Sequence, residues 1–470
     1  MPRKKIPQKK ITLFYPNKIK LSDLAHDVTN EYRGKIDQIN FFLFFNILSA
    51  PYLTFNDEPA QYFQIHSDII RCIFRSSCRK VIKDLVKAKY IQVNNGYSNA
   101  LHICKSYRIH PDRIDLSTPF SFIEQEYNQH FERKLQTLKM LNFSQRKKDD
   151  EDDEQAKYMR GIINDNYKHV INQTSNLFLV PSNEALAYVT NECKRLNNPN
   201  PAEYYFTYFN SSPIKSIGVD AFGNRLHSVI TNMAKIIRKC LRYQSSPAVR
   251  TIEIDIVNSQ PFFLSAVTSE LIAKYVPVAS EAIPIFCKYE NDNNFIKFKN
   301  YCRDGRIYEY LQAAYELDYG SVCKGTKEEQ RDFTKTLTYS ALFGDYELKD
   351  NTVLAGIKEI DAIKKQQFYL VFKEQFKAVY NLFKEVKALQ WSFTVNNKGE
   401  RKQYANNCLL AQRLESGVMY NQIISACVGS GYEEITTVHD CLLVREDEYS
   451  EIKEIAEKAF NEINLSPKFK

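Results

Sequence analysis

Apolar and acidic residues alternate through Thr251-Ile252-Glu253-Ile254-Asp255-Ile256. A period of two predicts a strand whose isoleucines enter a core while both acids occupy the opposite face. Asn258-Ser259-Gln260-Pro261 stops that strand, because proline cannot continue the ladder, and Phe262 to Val267 begins a helix. A second β-rich stretch, Glu434 to Val444, is broken only at His439-Asp440 with no glycine between its halves, which predicts a tight hairpin with Asp440 at its tip. If the hairpin pairs beside the Asp255 strand, two carboxylates converge on one point.

Between them, Arg331, Lys335, Tyr339 and Phe343 recur every four residues and form a stripe along one side of a predicted helix. The cationic end suits a triphosphate and the aromatic end suits stacking on a base or sugar. Gly344 offers the left-handed conformation that ends such a helix. Upstream, Ile69–Phe74 and Ser77–Lys89 read as short helices, the second with Val81, Ile82, Leu85 and Val86 on one face. Tyr90 to Val93, a turn at Asn94-Asn95-Gly96 and a strand-like run from Ala100 to Ile109 complete the order of a winged helix. The second helix carries Arg79, Lys80, Lys83, Lys87 and Lys89, a set suited to phosphate contact. Tyr158 to Asn210 is mixed, with a helix near Glu184 to Leu196 and aromatic-rich loops at Tyr204 to Phe209.

Composition adds constraints. At 470 residues the chain has room for two to four domains. Its 44% hydrophobic and 26% charged residues are a globular balance. The formal net charge is +8, and Arg3, Lys4, Lys5, Lys9, Lys10, Lys18 and Lys20 form a basic N-terminal segment that suits either a polyanion or a solvated tail. Six consecutive acids, Asp149 to Glu154, follow Arg146-Lys147-Lys148 and predict an exposed linker. Eleven cysteines, none in a C-x-x-C pair, predict reduced thiols in a cytosolic setting. The most apolar run, Ile39 to Leu53, is interrupted by Asn46 and Pro51 and is too short to span a bilayer. A soluble, intracellular and cytoplasmic protein follows, or a nuclear one in a eukaryotic setting.

Together the segments at Asp255, Arg331–Gly344 and His439-Asp440 resemble the three motifs shared by family A DNA polymerases and single-subunit phage-type RNA polymerases. Gly223-Asn224-Arg225-Leu226-His227-Ser228, with Asn232 and Arg238, is similar to the segment preceding the first motif, and Gln412 to a glutamine near template and primer. Asp255-Ile256-Val257-Asn258-Ser259-Gln260-Pro261 is closest to the divergent transposon-and-virus branch. The resemblance covers Asp220 to Lys470.

The resemblance implies an α+β right hand with an antiparallel β palm and mostly helical fingers, preceded by a helical, winged-helix-like region. Its domains would be a basic tail and helical segment over 1–55, a winged-helix-like domain over 56–115 and a helical linker over 116–215. The palm would take 216–265 and 405–470, and the fingers 266–404. It further implies template-dependent nucleotidyl transfer, with two Mg²⁺ ions, or Mn²⁺ in their place, on Asp255 and Asp440. Lys335 would be catalytic; Arg331, Lys335, Tyr339, Phe343 and Gln260 would bind the nucleotide; Arg225, Arg238, Gln412 and His439 would meet template or primer. Partners would be DNA template and primer, nucleoside triphosphates and replication accessory proteins, with no membrane. Cys441 stands where family A DNA polymerases carry an acid, and Gln260 where they carry a sugar-selecting Glu, which leaves sugar choice open. The competing readings are a non-catalytic winged-helix replication initiator or regulator with a vestigial palm, and a single-subunit RNA polymerase or primase.

Overall fold

A helix that is apolar all round must be buried all round. Gln38–Leu48 is such a helix: every residue from Ile39 to Leu48 is buried, and Asp37 caps its start by accepting the Ile39 N–H. The computed structural model containing it describes residues 9–29, 37–54, 62–96, 105–144, 163–212, 215, 217–220, 222–344, 362–391 and 405–470. The acidic run Asp149–Glu154, the basic residues Arg3, Lys4 and Lys5, and the first part of the Ala100–Ile109 run lie outside the described residues. Helices and small sheets together make the chain α+β. The residues fall into two compact units: 1–160, 171–218 and 227–251 in the first, and 161–170, 219–226 and 252–470 in the second.

In the first unit, β1 (Lys9–Tyr15) precedes α1 (Leu21–Thr29), α2 (Gln38–Leu48) and α3 (Ala50–Leu53). Then come β2 (Phe63–Gln64), α4 (Ser67–Phe74), α5 (Cys78–Lys87), β3 (Ile91–Asn94), β4 (Ser106–Ile109), β5 (Ser121–Tyr127) and α6 (Gln129–Ser144). β1 and β5 pair antiparallel from Lys9↔Tyr127 to Tyr15↔Ser121, so Lys9 and Lys10 lie in a paired strand. The buried Asn46 of α2 accepts the Phe14 N–H of β1 at 2.8 Å, which satisfies a polar group inside a phenylalanine-rich core. β2, β4 and β3 form a sheet in that order, antiparallel at both pairings. On α5, Val81 and Leu85 are buried, whereas Arg79, Lys80, Lys83 and Lys87 are exposed.

The chain continues through α7 (Asp165–Ser175), β6 (Leu177–Leu179), α8 (Asn183–Arg195) and α9 (Ala202–Ser211). α9 replaces the loops expected over Tyr204 to Phe209. Pro201 precedes its first turn, and Ala202, Phe206 and Phe209 are buried at helical spacing. β7 (Ile217–Val219), β8 (Leu226–Ser228), α10 (Lys235–Arg238), β9 (Leu241–Tyr243) and β10 (Thr251–Ile254) follow, with β6 paired to β9.

The second unit contains α11 (Ser259–Ser265), α12 (Ser269–Tyr275), α13 (Ile283–Tyr289), α14 (Asn293–Arg303), α15 (Ile307–Tyr319), α16 (Lys327–Phe343), α17 (Ala362–Gln375), α18 (Lys377–Ala388) and α19 (Asn406–Val418). α19 runs on through a π-helical stretch, Met419–Ile424, into α20 (Ser425–Gly429). β11 (Thr436–Val438), β12 (Cys441–Arg445) and α21 (Tyr449–Asn461) complete it. One three-stranded sheet has the order β10-β12-β11, and α19 packs against α11, α12, α16 and α18. Among the described residues no helix is long and apolar enough to cross a membrane.

Close packing of α19 rests on Gly417, where an added Cβ would meet the Cβ of Tyr275 at 2.7 Å. That atom is tied to the α12 backbone and cannot swing away. Alanine in mid-helix would gain about 1 kcal/mol of propensity, but overpacking costs roughly 1–3 kcal/mol. Gly417→Ala is therefore expected to lose up to about 2 kcal/mol of stability in chemical denaturation; a net gain would show that the helices separate easily.

Candidate active site

The β11–β12 register, Thr436↔Leu443, Thr437↔Leu442 and Val438↔Cys441, leaves only His439 and Asp440 to make the turn. His439 adopts φ +58, a left-handed backbone seldom held by a non-glycine residue. Every residue of β11 and of Cys441–Val444 is buried, so Asp440 stands at the end of a core hairpin. Asp255 comes immediately after β10, the neighbour of β12, between buried Ile254 and Ile256. Its N–H and carbonyl both bond Lys470, at 3.3 and 2.9 Å, and the Lys470 ammonium lies 2.7 Å from Asp255 Oδ2.

Electrostatics connect these acids. Asp440 is pushed from 3.8 up to about 7, first by burial, then by the negative charges of Glu415 and Asp255, against a backbone hydrogen bond and the positive charge of Arg225. Burial likewise pushes Tyr339 up to about 12, with Asp440 and Glu415 adding to the rise. Asp255, Asp440, Glu415, Arg225 and Tyr339 thus share one electrostatic neighbourhood.

Glu415 was not singled out from the sequence, yet it joins three segments of this unit. Its carboxylate is 1% exposed. Oε2 accepts from Arg225 Nη2 at 2.9 Å, from Ser259 Oγ at 2.9 Å and from Gln260 Nε2. Oε1 lies 2.7 Å from Arg225 Nη2 but has no aligned donor of its own. Ser259 and Gln260 open α11, which starts earlier than Phe262 because Asn258 turns the chain at φ +56. Pro261 then falls in the first turn, where no N–H is needed.

The loop carrying Arg225 is held just as closely. Asp220 accepts the Gly223 and Arg225 N–H groups at 2.6 and 2.9 Å. Arg413, fully buried on α19, donates to the Phe222 carbonyl at 2.7 Å, and Ser416 to the Gly223 carbonyl at 2.9 Å. Tyr167 donates to the Asn224 carbonyl at 2.7 Å. Gln412 lies inside α19, and its side chain fills the space a Cβ on Gly223 would need. Arg238 belongs to the first unit and donates to the Met233 carbonyl at 2.8 Å.

α16 bears the expected stripe. Arg331 pairs with Glu309 at 2.8 Å and lies 5.3 Å from the Tyr308 ring, Lys335 lies 5.7 Å from the Tyr339 ring, and Tyr339 meets Phe343 edge-on. Gly344 ends α16 at φ −76, so left-handedness is not its role. A Cβ there would come within 2.5 Å of the Ser340 carbonyl, which the Gly344 N–H bonds, and glycine is needed for that close approach. Asn407 of α19 bonds the Leu342 carbonyl at 3.1 Å and anchors this end of the stripe.

Among the described residues no group of three or more His, Cys, Asp or Glu is arranged to hold a metal ion. Two carboxylates loaded with like charge nevertheless suit a hard divalent cation, which would offset the burial and the like-charge repulsion that push Asp440 up.

No protein-family description and no curated protein matches the chain. Among solved structures it is similar to the "POL domain of Pol1 from M. smegmatis complex with DNA primer-template and dNTP", at 13% identity and a TM-score of 0.36. The likeness covers 72% of this chain and 65% of that one.

The Asp440 carboxyl ionises near 4 in the unfolded chain and near 7 in the folded one. Its charge therefore costs stability progressively as pH rises from about 4 to 7, in full above that, and not at all below. With a chelator present, Asp440→Asn is expected to stabilise the protein by roughly 1–3 kcal/mol at pH 8, with the gain vanishing by about pH 4. Thermal melts across that range check it; a variant less stable at pH 8 would refute the like-charge account.

Proposed function

We propose that this chain is a template-dependent nucleotidyltransferase of a mobile element, plasmid or virus, extending a primer 3′-hydroxyl with nucleoside triphosphates. The observation that carries the reading is the pairing of β10 beside β12, which sets Asp255 and Asp440 in mutual electrostatic reach. In the right-hand terms of the resemblance, the β10-β12-β11 sheet would be the palm and α12–α18 the fingers.

Asp255 and Asp440 would hold two Mg²⁺ ions. When bound, such ions supply Lewis-acid activation of the 3′-hydroxyl and neutralise the leaving pyrophosphate. The chain's own residues do the positioning. Lys335 offsets charge at the α-phosphate, Arg331 leaves Glu309 for the outer phosphates, and Tyr339 with Phe343 stacks on the base. Gln260 faces the sugar; Arg225, Gln412 and His439 meet primer and template. The Lys470 ammonium serves as the counter-charge on Asp255 that a metal would displace.

Purified protein with primed template and Mg²⁺ is expected to extend the primer. Asp255→Asn and Asp440→Asn should each lower the rate by roughly a thousandfold or more. Mg²⁺ should raise the melting temperature of the wild type at pH 8 and that of Asp440→Asn far less. Equal, negligible extension by all three proteins with deoxy- and ribonucleotides alike would refute the enzyme reading.

Duplex DNA contact is proposed separately for the first unit. The order β2, α4, α5, β3, β4 and the β2-β4-β3 sheet support a winged helix, and the exposed cations of α5 suit phosphates. Removing two phosphate contacts should reduce the slope of log affinity against log salt by about 2. Lys83→Ala with Lys87→Ala is expected to weaken duplex binding about tenfold at low salt, on the order of 0.7 kcal/mol per contact. Unchanged affinity and slope in a fluorescence titration would dismiss this surface.

A further inference from the structure

Residues 468–470 run antiparallel alongside residues 255–257. Ile256 and Phe469 form a bridge, the Asp255 N–H and carbonyl both bond Lys470, at 3.3 and 2.9 Å, and the Val257 N–H bonds the Lys468 carbonyl at 2.8 Å. Side chains alternate across an extended chain, so Phe469 takes one face and Lys468 and Lys470 the other. The Phe469 ring lies 5.8 Å from that of Phe460 on α21, which ties the segment to the core. In this register Lys470 stands directly opposite Asp255, where a cross-strand pair of opposite charges meets. Its ammonium lies 2.7 Å from Asp255 Oδ2. The backbone bonds do not involve the side chain, so the ammonium stays tethered beside the carboxylate whether or not the two are paired.

We infer that Lys470 is a built-in competitor for the divalent cation at Asp255 and regulates how readily that site fills. The inference rests on the cation-binding part of the reading proposed above and adds to it a group that opposes loading. A tethered cation keeps the same effective concentration at its partner however dilute the protein becomes. A divalent ion reaching Asp255 must break the ion pair, and the ammonium, still held by its strand, re-forms it when the ion leaves. The competition is mild, because the Lys470 side chain is 60% exposed and ion pairs of that kind contribute little. The carboxylate is thus neutralised in the metal-free protein and yields at a modestly higher cation concentration than a bare one would.

The test measures Mn²⁺ binding to the nucleotide-free protein by electron paramagnetic resonance of the free ion, with Mg²⁺ as a competing titrant. Lys470→Met should bind Mn²⁺ about two- to fivefold more tightly than the wild type. Lys470→Arg, which keeps a cation on the same strand, should bind no more tightly than the wild type. Lys468→Met removes a positive charge from the same face but leaves the Lys470 ion pair in place, and should change the affinity far less. If Lys470→Met does not fold, Lys470→Gln takes its place with the same expected direction. A merely structural role would leave the affinity unchanged or lower it in these position-470 variants. Either result, or equal tightening in Lys468→Met, would overturn the inference alone. No Mn²⁺ binding at millimolar concentration by the wild type and Lys470→Met would overturn the cation site and this inference with it. Binding in the expected order by a protein that extends no primer would overturn the polymerase reading and leave this inference standing.

Discussion

A carboxylate can be removed from water only where donors replace its hydration, and the charge of Glu415 is the constraint around which this unit is organised. The buried group accepts from Arg225, Ser259 and Gln260, which belong to the β7–β8 loop and the start of α11. Desolvating an ion costs several kcal/mol, so the arrangement persists only if its partners are nearly fixed. The same charge that fixes them also acts on Asp440 and raises its affinity for a proton. One group thus orders the neighbourhood and loads it with negative charge, which Arg225 and Lys470 offset in part.

Like charges held together store a preference for cations. Arg225 is already engaged by Glu415, and its own proton is held more tightly by that partner. Lys470 is different: beyond its backbone bonds to Asp255, its side chain is 60% exposed and meets that carboxylate in a single ion pair. Exposed pairs contribute little, typically below about 1 kcal/mol. The fixed cation therefore belongs to the scaffold, and the displaceable one belongs to Asp255.

Local periodicity made much of this legible. Alternation around Asp255 gave its strand, β-rich flanks gave the His439-Asp440 turn, and the four-residue spacing from Arg331 to Phe343 gave α16, because each signal is local and repeats within a few residues. Glu415 escaped because an acid in a helix reads as solvent-exposed until its neighbours are known. Lys470 escaped because its ion pair with Asp255 is made across the whole length of the unit. At Gly344 the sequence shows that glycine is needed but not whether φ or a close carbonyl requires it. The aromatics of α9 looked like a loop because Tyr204, Tyr205 and Tyr208 blur the apolar period that Ala202, Phe206 and Phe209 keep.

α19 and its continuation touch both the segment that follows Asp255 and the hairpin that bears Asp440. Residues along a helix turn by about 100° each, so Arg413, Glu415, Ser416 and Gly417 address different neighbours: the Phe222 carbonyl, the Gln260 amide, the Gly223 carbonyl and Tyr275. Such a helix must be covered on nearly every side. The π-helical turn that follows widens the spiral and shifts the facing of later residues. Tyr420, within that turn, stacks on Tyr167 and shares a 2.8 Å hydrogen bond with Thr437 of β11. The helix therefore grips α11, which follows Asp255, through Glu415, and the hairpin bearing Asp440 through Tyr420.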